Sequence, residues 1–469
     1  MNYSMKMLDV HRCQMQTLLK DTSREQACFL LCGVAHGNDE TTILVREVIE
    51  VAQNDLTVHS YDRLQVSPNA MLRIARRAQE LSASVCMVHT HPMSNGEVEF
   101  SYADDIGNQK TFEFFGRMVP QLPHTCLVWD SQIQTVSGRV YFSAIDWKPI
   151  SKVEAVNGEK RKVFASGLKK SCNISETYNR QAILLGKQGQ QILSELKVGI
   201  VGCGGIGSVV STLLAHSGVR NFNLYDFDKV SLSNLPRIIG ATPKDVGVLK
   251  VKVLERYIRA LNADAEIATF EEAIEAPHLL KQIIELDVLI CGTDDTTSRA
   301  FLNQLCHQYY IPVLDMGVQF NVDKNGLLVS ETGRVNLMLP GTVCMCCCGY
   351  INPIKLQQEG VTKEQHQQQV ADGYLSGSDV KEPSMMVFNM QVASLGVQRL
   401  IEWVTGLNSI NPKQYESFRF LGINSEQGTR KVNKRCTQFC PFCAENSVYL
   451  GAGDEQKLLV QPRRIVAHQ

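Results

Sequence analysis

The sequence lacks a dominant charge of either sign: 47 Lys+Arg stand against 48 Asp+Glu in 469 residues, a formal net charge of −1. No bulk field would draw such a chain to DNA, RNA or anionic lipid, so no nucleic acid and no membrane is expected as a partner. Aromatics are scarce at 7%, but 44% of the residues are apolar and 20% charged, which excludes disorder, collagen and coiled coil. The opening residues, MNYSMKMLDVHRCQ, lack the apolar core of a secretory signal, so a cytoplasmic location is expected. Long hydrophobic runs are missing too. One long uncharged stretch, 198–215, contains five glycines and reads as strand, turn and helix rather than a membrane span. At about 150 residues per domain the length implies two to four domains.

Cysteine, by contrast, is plentiful. Sixteen of them in a long chain for which no secretory signal is expected do not read as a disulfide framework. Nine (Cys13, Cys28, Cys32, Cys86, Cys126, Cys172, Cys203, Cys291, Cys306) are scattered and fit small buried hydrophobes. The rest cluster at 344–348 and 436–443, which burial alone does not explain.

From Ala27 to about Ile145 the pattern suggests strands around one long helix, NAMLRIARRAQEL, and SVCMVHTHP reads as a buried strand with polar residues at its end. A polar, basic stretch follows and is expected to be a linker, 148–173. From about Tyr178, strands alternate with helices: LKVGIVG, SVVSTLLAHSGV, NFNLYDFD, VLKVKVLERYIRALN, AEIATF, APHLLKQIIEL, DVLICGTD, TTSRAFLNQLCHQY and IPVLDMGV. That alternation predicts an α/β fold, a parallel, doubly wound sheet with right-handed crossovers. There are no internal repeats, and the Gln- and Glu-rich 357–379 is expected to be a surface excursion.

Three constellations carry chemistry. In His89-Thr90-His91-Pro92 the two imidazoles at i and i+2 share one face of a strand, and Ser101-Tyr102-Ala103-Asp104 brings a carboxylate a short loop later. Two His and a carboxylate form a catalytic zinc set with one position left for water. Such a site needs a general base, and Glu25, just before the strand ACFLLCG, could supply it. Glu25, His89-x-His91-Pro92, Ser101 and Asp104 together resemble the JAMM (JAB/MPN) metal-dependent isopeptidases over roughly residues 1–145. The resemblance implies that His89, His91 and Asp104 hold zinc, that Glu25 moves the proton, and that Ser101 bonds the developing oxyanion. Asp105 reads as a solvated or helix-start carboxylate rather than a ligand.

In the second constellation, Gly202-Cys203-Gly204-Gly205-Ile206-Gly207 joins strand to helix, and Asp226 ends the next strand. Glycines allow phosphate close to a helix N-terminus, and the acid suits ribose hydroxyls. This much fits a nicotinamide dehydrogenase equally well. Asp228, Asn234, Arg237, Lys250 and Asp294 then supply the cations and the metal-binding acid that a magnesium triphosphate requires. With Tyr178-Asn179-Arg180-Gln181, the region from Tyr178 onward resembles the ThiF/MoeB/HesA family, bacterial relatives of ubiquitin-activating enzymes that adenylate a C-terminal glycine. By that resemblance Gly202, Gly204, Gly205 and Gly207 lie in the phosphate turn and Asp226 binds ribose. Asn234, Arg237 and Lys250 grip phosphates, and Asp294 binds Mg2+. Arg180 reaches the triphosphate from a partner subunit, implying a homodimer.

Third, Cys344-Met-Cys346-Cys347 and Cys440-Pro-Phe-Cys443 give two C-x-x-C pairs, the spacing that presents two sulfurs to one tetrahedral ion. In the resembling family such pairs form a structural zinc site, here Cys344, Cys347, Cys440 and Cys443, with Cys346, Cys348 and Cys436 spare. No cysteine lies between Cys348 and Cys436, where relatives that form a thioester carry one, which favours release of the acyl-adenylate to an external nucleophile.

The expected architecture is therefore a JAB/MPN domain (1–147), the linker, and a ThiF-type domain (174–469), using ATP, Mg2+ and two Zn2+ ions, one catalytic and one structural. Both domains would act on the C-terminus of a ubiquitin-like or sulfur-carrier protein, one trimming it and the other activating it. Adenylation of a short peptide or a small-molecule carboxylate, an oxidoreductase with an appended hydrolase, and a non-catalytic scaffold are the alternatives.

Overall fold

The structure, a computed structural model, describes residues 1–61, 63, 64–92, 94, 96–164, 175–323, 325, 327–342, 344–359, 383–410, 415–418, 430–432 and 440–460. The chain forms two compact units. One comprises Met1–Ser171, His307–Tyr310 and Glu445–Lys457; the other comprises Cys172–Cys306, Ile311–Ala444 and Leu458–Gln469.

The first unit is built on β1 (Asn2–Met7), β2 (Ala27–His36), β3 (Glu40–Glu50), the small hairpin β4 (Leu56–His59) and β5 (Leu64–Val66), then β6 (Ser84–His91), β7 (His124–Asp130), β8 (Val136–Tyr141), β9 (Trp147–Pro149), β10 (Lys152–Ala155) and β11 (Lys162–Phe164). Nine of these form one mixed sheet in the order β11-β10-β1-β3-β2-β6-β7-β8-β9. Strand β2 is buried on both faces: Cys28, Leu30, Cys32 and Val34 join one core, and Phe29 and Leu31 meet α2 (Pro68–Leu81) and α3 (Tyr102–Met118) on the other. Helix α2 starts where Ser67 Oγ accepts from Ala70 N with Pro68 in the first turn, and it buries Ala70, Ile74, Ala75 and Ala78 at helical spacing.

Two expectations need correction. Among the described residues the stretch 27–145 holds two α-helices rather than one, adding the 17-residue α3, so the loop after His91 leads into a helix whose first turn carries Asp104; α1 (Asp9–Leu18) precedes that stretch. The stretch expected as a linker carries β9, β10 and β11, and β10 pairs in parallel with β1; residues 165–174, Cys172 included, lie outside the described residues.

A distant segment completes this unit. Gly453 bridges Val34 in parallel, Asp454 N donates to the Val34 carbonyl (2.8 Å), and the Asp454 carboxylate accepts from His36 N (2.8 Å). Gln308 Nε2 donates to the Gly453 and Gln456 carbonyls (2.7 and 2.6 Å), and Tyr310 Oη to that of Val45 (2.9 Å). The approach is so close that a β-carbon on Gly33 would overlap the Gly451 oxygen and lie 2.7 Å from the Ala452 carbonyl carbon.

The second unit contains β12 (Lys197–Val201), β13 (Asn221–Tyr225), β14 (Glu266–Phe270), β15 (Val288–Cys291), β16 (Val313–Val322), β17 (Leu328–Met338), β18 (Tyr415–Phe418) and β19 (Arg430–Val432) in the order β14-β13-β12-β15-β16-β17-β18-β19. Helices α4 (Asn179–Glu195), α5 (Gly205–His216), α6 (Lys250–Leu261), α7 (Leu280–Ile283), α8 (Thr296–Gln308), α9 (Met345–Cys348), α10 (Pro353–Glu359) and α11 (Met386–Thr405) accompany it. The sheet is parallel from β14 to β16 and antiparallel beyond, so the expected parallel sheet is in fact mixed. The expected helix APHLLKQIIEL shrinks to a 3-10 turn and four-residue α7. Strand β12, a glycine turn and α5 occupy 197–216, as the uncharged run predicts, and no described helix is long and apolar enough to cross a membrane. Beyond α10 the Gln-rich excursion lies outside the described residues.

Candidate functional site

In the first unit the register of β2 against β6 pairs Ala27 with His89, and Thr90 N donates to the Gln26 carbonyl (3.0 Å), so Glu25 arrives beside His91. Its carboxylate contributes to holding the His91 imidazole above its usual pKa, behind the dominant hydrogen bond that the ring donates to Asp104. His89 and His91 rings lie 5.3 Å apart, with Nε2 atoms 3.1 and 3.2 Å from Asp104 Oδ1 and Oδ2. Burial would raise the Asp104 carboxyl, but the two imidazoles drive it far below the carboxylate range.

Asp104 is aimed by its helix. Ser101 is the N-cap of α3: its hydroxyl and amide both donate to Asp104 Oδ2 (2.8 and 2.6 Å), and its Oγ accepts from Asp104 N (3.2 Å). Ser101 thus orients the carboxylate as well as standing beside it. Asp105, one position on, pairs with Arg139, whose guanidinium stacks between the Phe100 and Trp147 rings at 4.2 and 4.1 Å.

One ligand atom from each of His89, His91 and Asp104 lies within 4.8 Å of the others. The buried His89 Nε2 has no well-aligned hydrogen bond despite its closeness to Asp104. Two imidazoles and a carboxylate converging on one point, with His89 Nε2 left without a well-aligned bond, suit a tetrahedral cation with an open position, so the residues fit zinc. Sequence reasoning missed His59, whose Nε2 lies 3.0 Å from the Glu25 carbonyl, and Cys126, whose thiol is 4.0 Å from His89 Nδ1 and is held protonated by burial.

In the second unit the glycine turn closes between β12 and α5. Gly202 has φ +87°, and a β-carbon on Gly207 would overlap the Gly202 carbonyl oxygen. Asp226, just past β13, ties the turn down: its carboxylate accepts from Cys203 N (2.7 Å) and Asp228 N (2.8 Å). Burial raises its pKa, against which Lys250 pulls it back. Lys250, the first residue of α6, places Nζ 2.7 Å from Asp228 and 3.8 Å from Asp226. Asn234 is buried and accepts from Ser231 N (3.1 Å), and Arg237 N donates to the Asn234 carbonyl (2.9 Å). Asp294 is exposed in the loop after β15, and Arg180 is exposed on α4. Gly204 and Gly205 open α5, where a β-carbon on Gly205 would overlap Asn389 Nδ2, a side chain from α11 that no local pattern announced. The residues expected to bind nucleotide, other than Arg180, thus gather around the C-terminal ends of β12, β13 and β15, where open α/β sheets bind ligands.

The four thiolate candidates also converge. Cys344 and Cys440 Sγ are 3.6 Å apart, Cys347 and Cys443 Sγ 3.7 Å, and all four lie within 4.8 Å of one another. A tetrahedral ion with Zn–S of about 2.3 Å sets sulfurs about 3.8 Å apart, so this set also fits zinc. Cys346 is exposed and Cys348 buried, while Cys436 lies outside the described residues. Of the nine scattered cysteines, Cys28, Cys32, Cys86, Cys126, Cys203, Cys291 and Cys306 are buried and Cys13 is exposed.

Among known proteins, the chain is similar to the adenylyltransferase and sulfurtransferase MOCS3 of Culex quinquefasciatus, 35% identical over 131 residues, which are 28% of this chain and 30% of that protein. It is 37% identical over 139 residues to the molybdopterin-synthase adenylyltransferase of Escherichia coli (strain K12), 29% of this chain and 56% of that one. The chain thus spans about a third to a little over half the length of these curated relatives. Among solved structures it is similar to E. coli MccB bound to MccA-N7isoASN, at 21% identity and a TM-score of 0.46 over 58% of this chain and 76% of that one. The ThiF family model matches residues 178–441, more than half of the sequence, and the chain is a member of the ThiF family.

Proposed function

We propose that this protein uses ATP to adenylate the C-terminal glycine of a ubiquitin-like or sulfur-carrier protein, or of a peptide, and that its first unit is a zinc isopeptidase acting on the same kind of tail. The observation that carries the first half is the glycine turn locked by Asp226 with Lys250 alongside, in a ThiF-family chain whose relatives are named adenylyltransferases. Both reactants of adenylation are anions. The tail carboxylate oxygen attacks the α-phosphorus, the bond to the β-phosphate bridge oxygen breaks, and pyrophosphate leaves. Lys250 and Arg237 neutralise phosphate oxygens, Asp226 binds ribose, and Asp294 would hold Mg2+, which screens the charge on the leaving pyrophosphate. The exposed Arg180, with Ile183 86% and Leu184 69% exposed on the same helix, suits a second copy of the chain, so a homodimer forms through α4.

The second half is carried by the convergence of His89, His91 and Asp104 beside Glu25. These three would hold zinc, which lowers the pKa of water to near neutrality and polarises the scissile carbonyl. Glu25 accepts the proton of the attacking water and delivers it to the departing amine, and the Ser101 hydroxyl turns from Asp104 Oδ2, which keeps the Ser101 amide, to donate to the oxyanion. The four cysteines would hold a structural zinc.

ATP–pyrophosphate exchange with small proteins ending in Gly-Gly tests the first half; no exchange with any of them, together with tight NAD binding, overturns it. Cleavage of a carrier extended beyond its terminal glycine, abolished in Glu25→Gln with zinc retained, tests the second. Cleavage that survives in Glu25→Gln removes Glu25 from its role.

A further inference from the structure

A second buried charged cluster lies at the same edge of the second unit's sheet, and neither the glycine turn nor the thiolates use it. The register pairs Val201 with Cys291 and Cys291 with Asp315, so Asp315 stands level with the end of the strand that enters the glycine turn. Asp315 is fully buried and shared by two guanidiniums: Arg334 Nε lies 2.7 Å from Oδ2, and Arg299 Nε 3.5 Å from Oδ1. Arg299 also donates to the Thr293 carbonyl (2.8 Å), next to Asp294, and Arg334 stacks 4.1 Å from the Tyr350 ring. Arg299 Nε is buried without an aligned acceptor among the described residues, and the Asp295 carboxylate, like Asp315, lies close enough to act on the Arg299 guanidinium.

The two guanidiniums meet at a particular spot. A β-carbon on Gly317 would lie 3.2 Å from Arg334 Nη2 and 3.8 Å from Arg299 Nη2, so glycine leaves open the place where both forks converge. The cross-strand pairs Asp315–Asn336, Gly317–Arg334 and Gln319–Thr332 make this face of the β16–β17 hairpin polar, while Leu314 and Met316 on the other face join the core. We propose that Arg299 and Arg334 form the subsite that receives the terminal carboxylate of the tail, which lies extended along the polar face of β16–β17. Planar forks suit a carboxylate bidentately.

The inference rests on the adenylation reading, and the test separates the two. The full chain is titrated with a hexapeptide ending in Gly-Gly, with its C-terminal amide, with pyrophosphate and with a non-hydrolysable ATP analogue. Wild type prefers the acid to the amide. Arg334→Gln weakens the acid about ten- to hundredfold, leaves the amide unmoved and leaves the ATP analogue within twofold, while Arg334→Lys recovers part of the loss. No preference for the acid in wild type overturns the subsite, as does an Arg334→Gln variant that binds the acid normally or loses pyrophosphate or ATP analogue instead. Thermal melting checks that the variant folds, and an Arg334→Gln that melts far below wild type while Arg334→Lys binds the acid no better than the amide also overturns it. A wild type that prefers the acid but binds no ATP analogue defeats the adenylation reading and leaves the subsite standing.

Discussion

An alanine at position 207 puts a methyl group into the narrowest point of the glycine turn. Its β-carbon would overlap the Gly202 carbonyl oxygen, lie 3.0 Å from that carbonyl carbon and 3.3 Å from Ile200 Cγ2. The first two are backbone atoms, so no rotamer change relieves the clash and either α5 or the turn must move. If the helix moves, overpacking costs about 1–3 kcal/mol, which lowers Tm by roughly 2–12 °C for a unit of this size. If the turn moves, its amides lose phosphate contacts worth about 1.5–3 kcal/mol each, so an ATP analogue binds roughly 10- to 150-fold more weakly per lost bond. Calorimetric titration of the analogue, run beside a thermal melt, reads both. Gly107→Ala in α3 is the control: nothing lies within 4 Å of its β-carbon, and it should leave nucleotide affinity unchanged while adding up to about 1 kcal/mol of helix propensity. A Gly207→Ala protein with wild-type affinity and melting temperature would refute the packing argument.

Metal analysis of the purified chain should return two zinc ions, falling to one in Asp104→Asn and to one in Cys440→Ser with Cys443→Ser; a single ion in wild type removes one of the two sites. Burial holds His11 and His124 at a pKa of about 4, against about 6.5 when unfolded, so both stay neutral in the folded chain while the unfolded chain takes up protons. Stability conferred by the neutral rings is complete above about pH 6.5 and is lost as pH falls towards 4. At pH 5 each costs about 2 kcal/mol, and urea unfolding of His124→Gln should show a shallower loss between pH 7 and 5 than wild type. Gly33→Ala drives a methyl into the Gly451–Ala452 backbone, so Tm should drop and the 445–457 segment should become open to protease; an unchanged digestion pattern would contradict the contact.

Legibility in the sequence followed the range of the interaction. The β12–turn–α5 run was readable because strand, glycines and helix are contiguous, and the HTHP segment because two side chains of one strand share a face. Helix α3 was missed since its buried residues are few (Asn108, Phe112, Phe115) and two glycines interrupt it, leaving a faint apolar stripe; its Ser-x-x-Asp box was the available signal. Strands β9, β10 and β11 are three or four residues long and rich in lysine, so they resemble a linker until β1 pairs with β10. Asp315 with Arg299 and Arg334 was invisible for another reason: α8, β16 and β17 each contribute one charge, and no spacing marks them as partners.

The docking of Gly451–Asp454 on β2 has a consequence for biosynthesis. Residue 171 leaves the ribosome 286 positions ahead of residue 457, roughly 15 to 60 s at a synthesis rate of about 5–20 residues per second. Throughout that interval the backbone of Gly33 and Val34 waits uncovered. The first unit's sheet is thus finished only after most of the second unit has been synthesised, and a premature stop before Glu445 would release a polypeptide with that flank of its sheet bare.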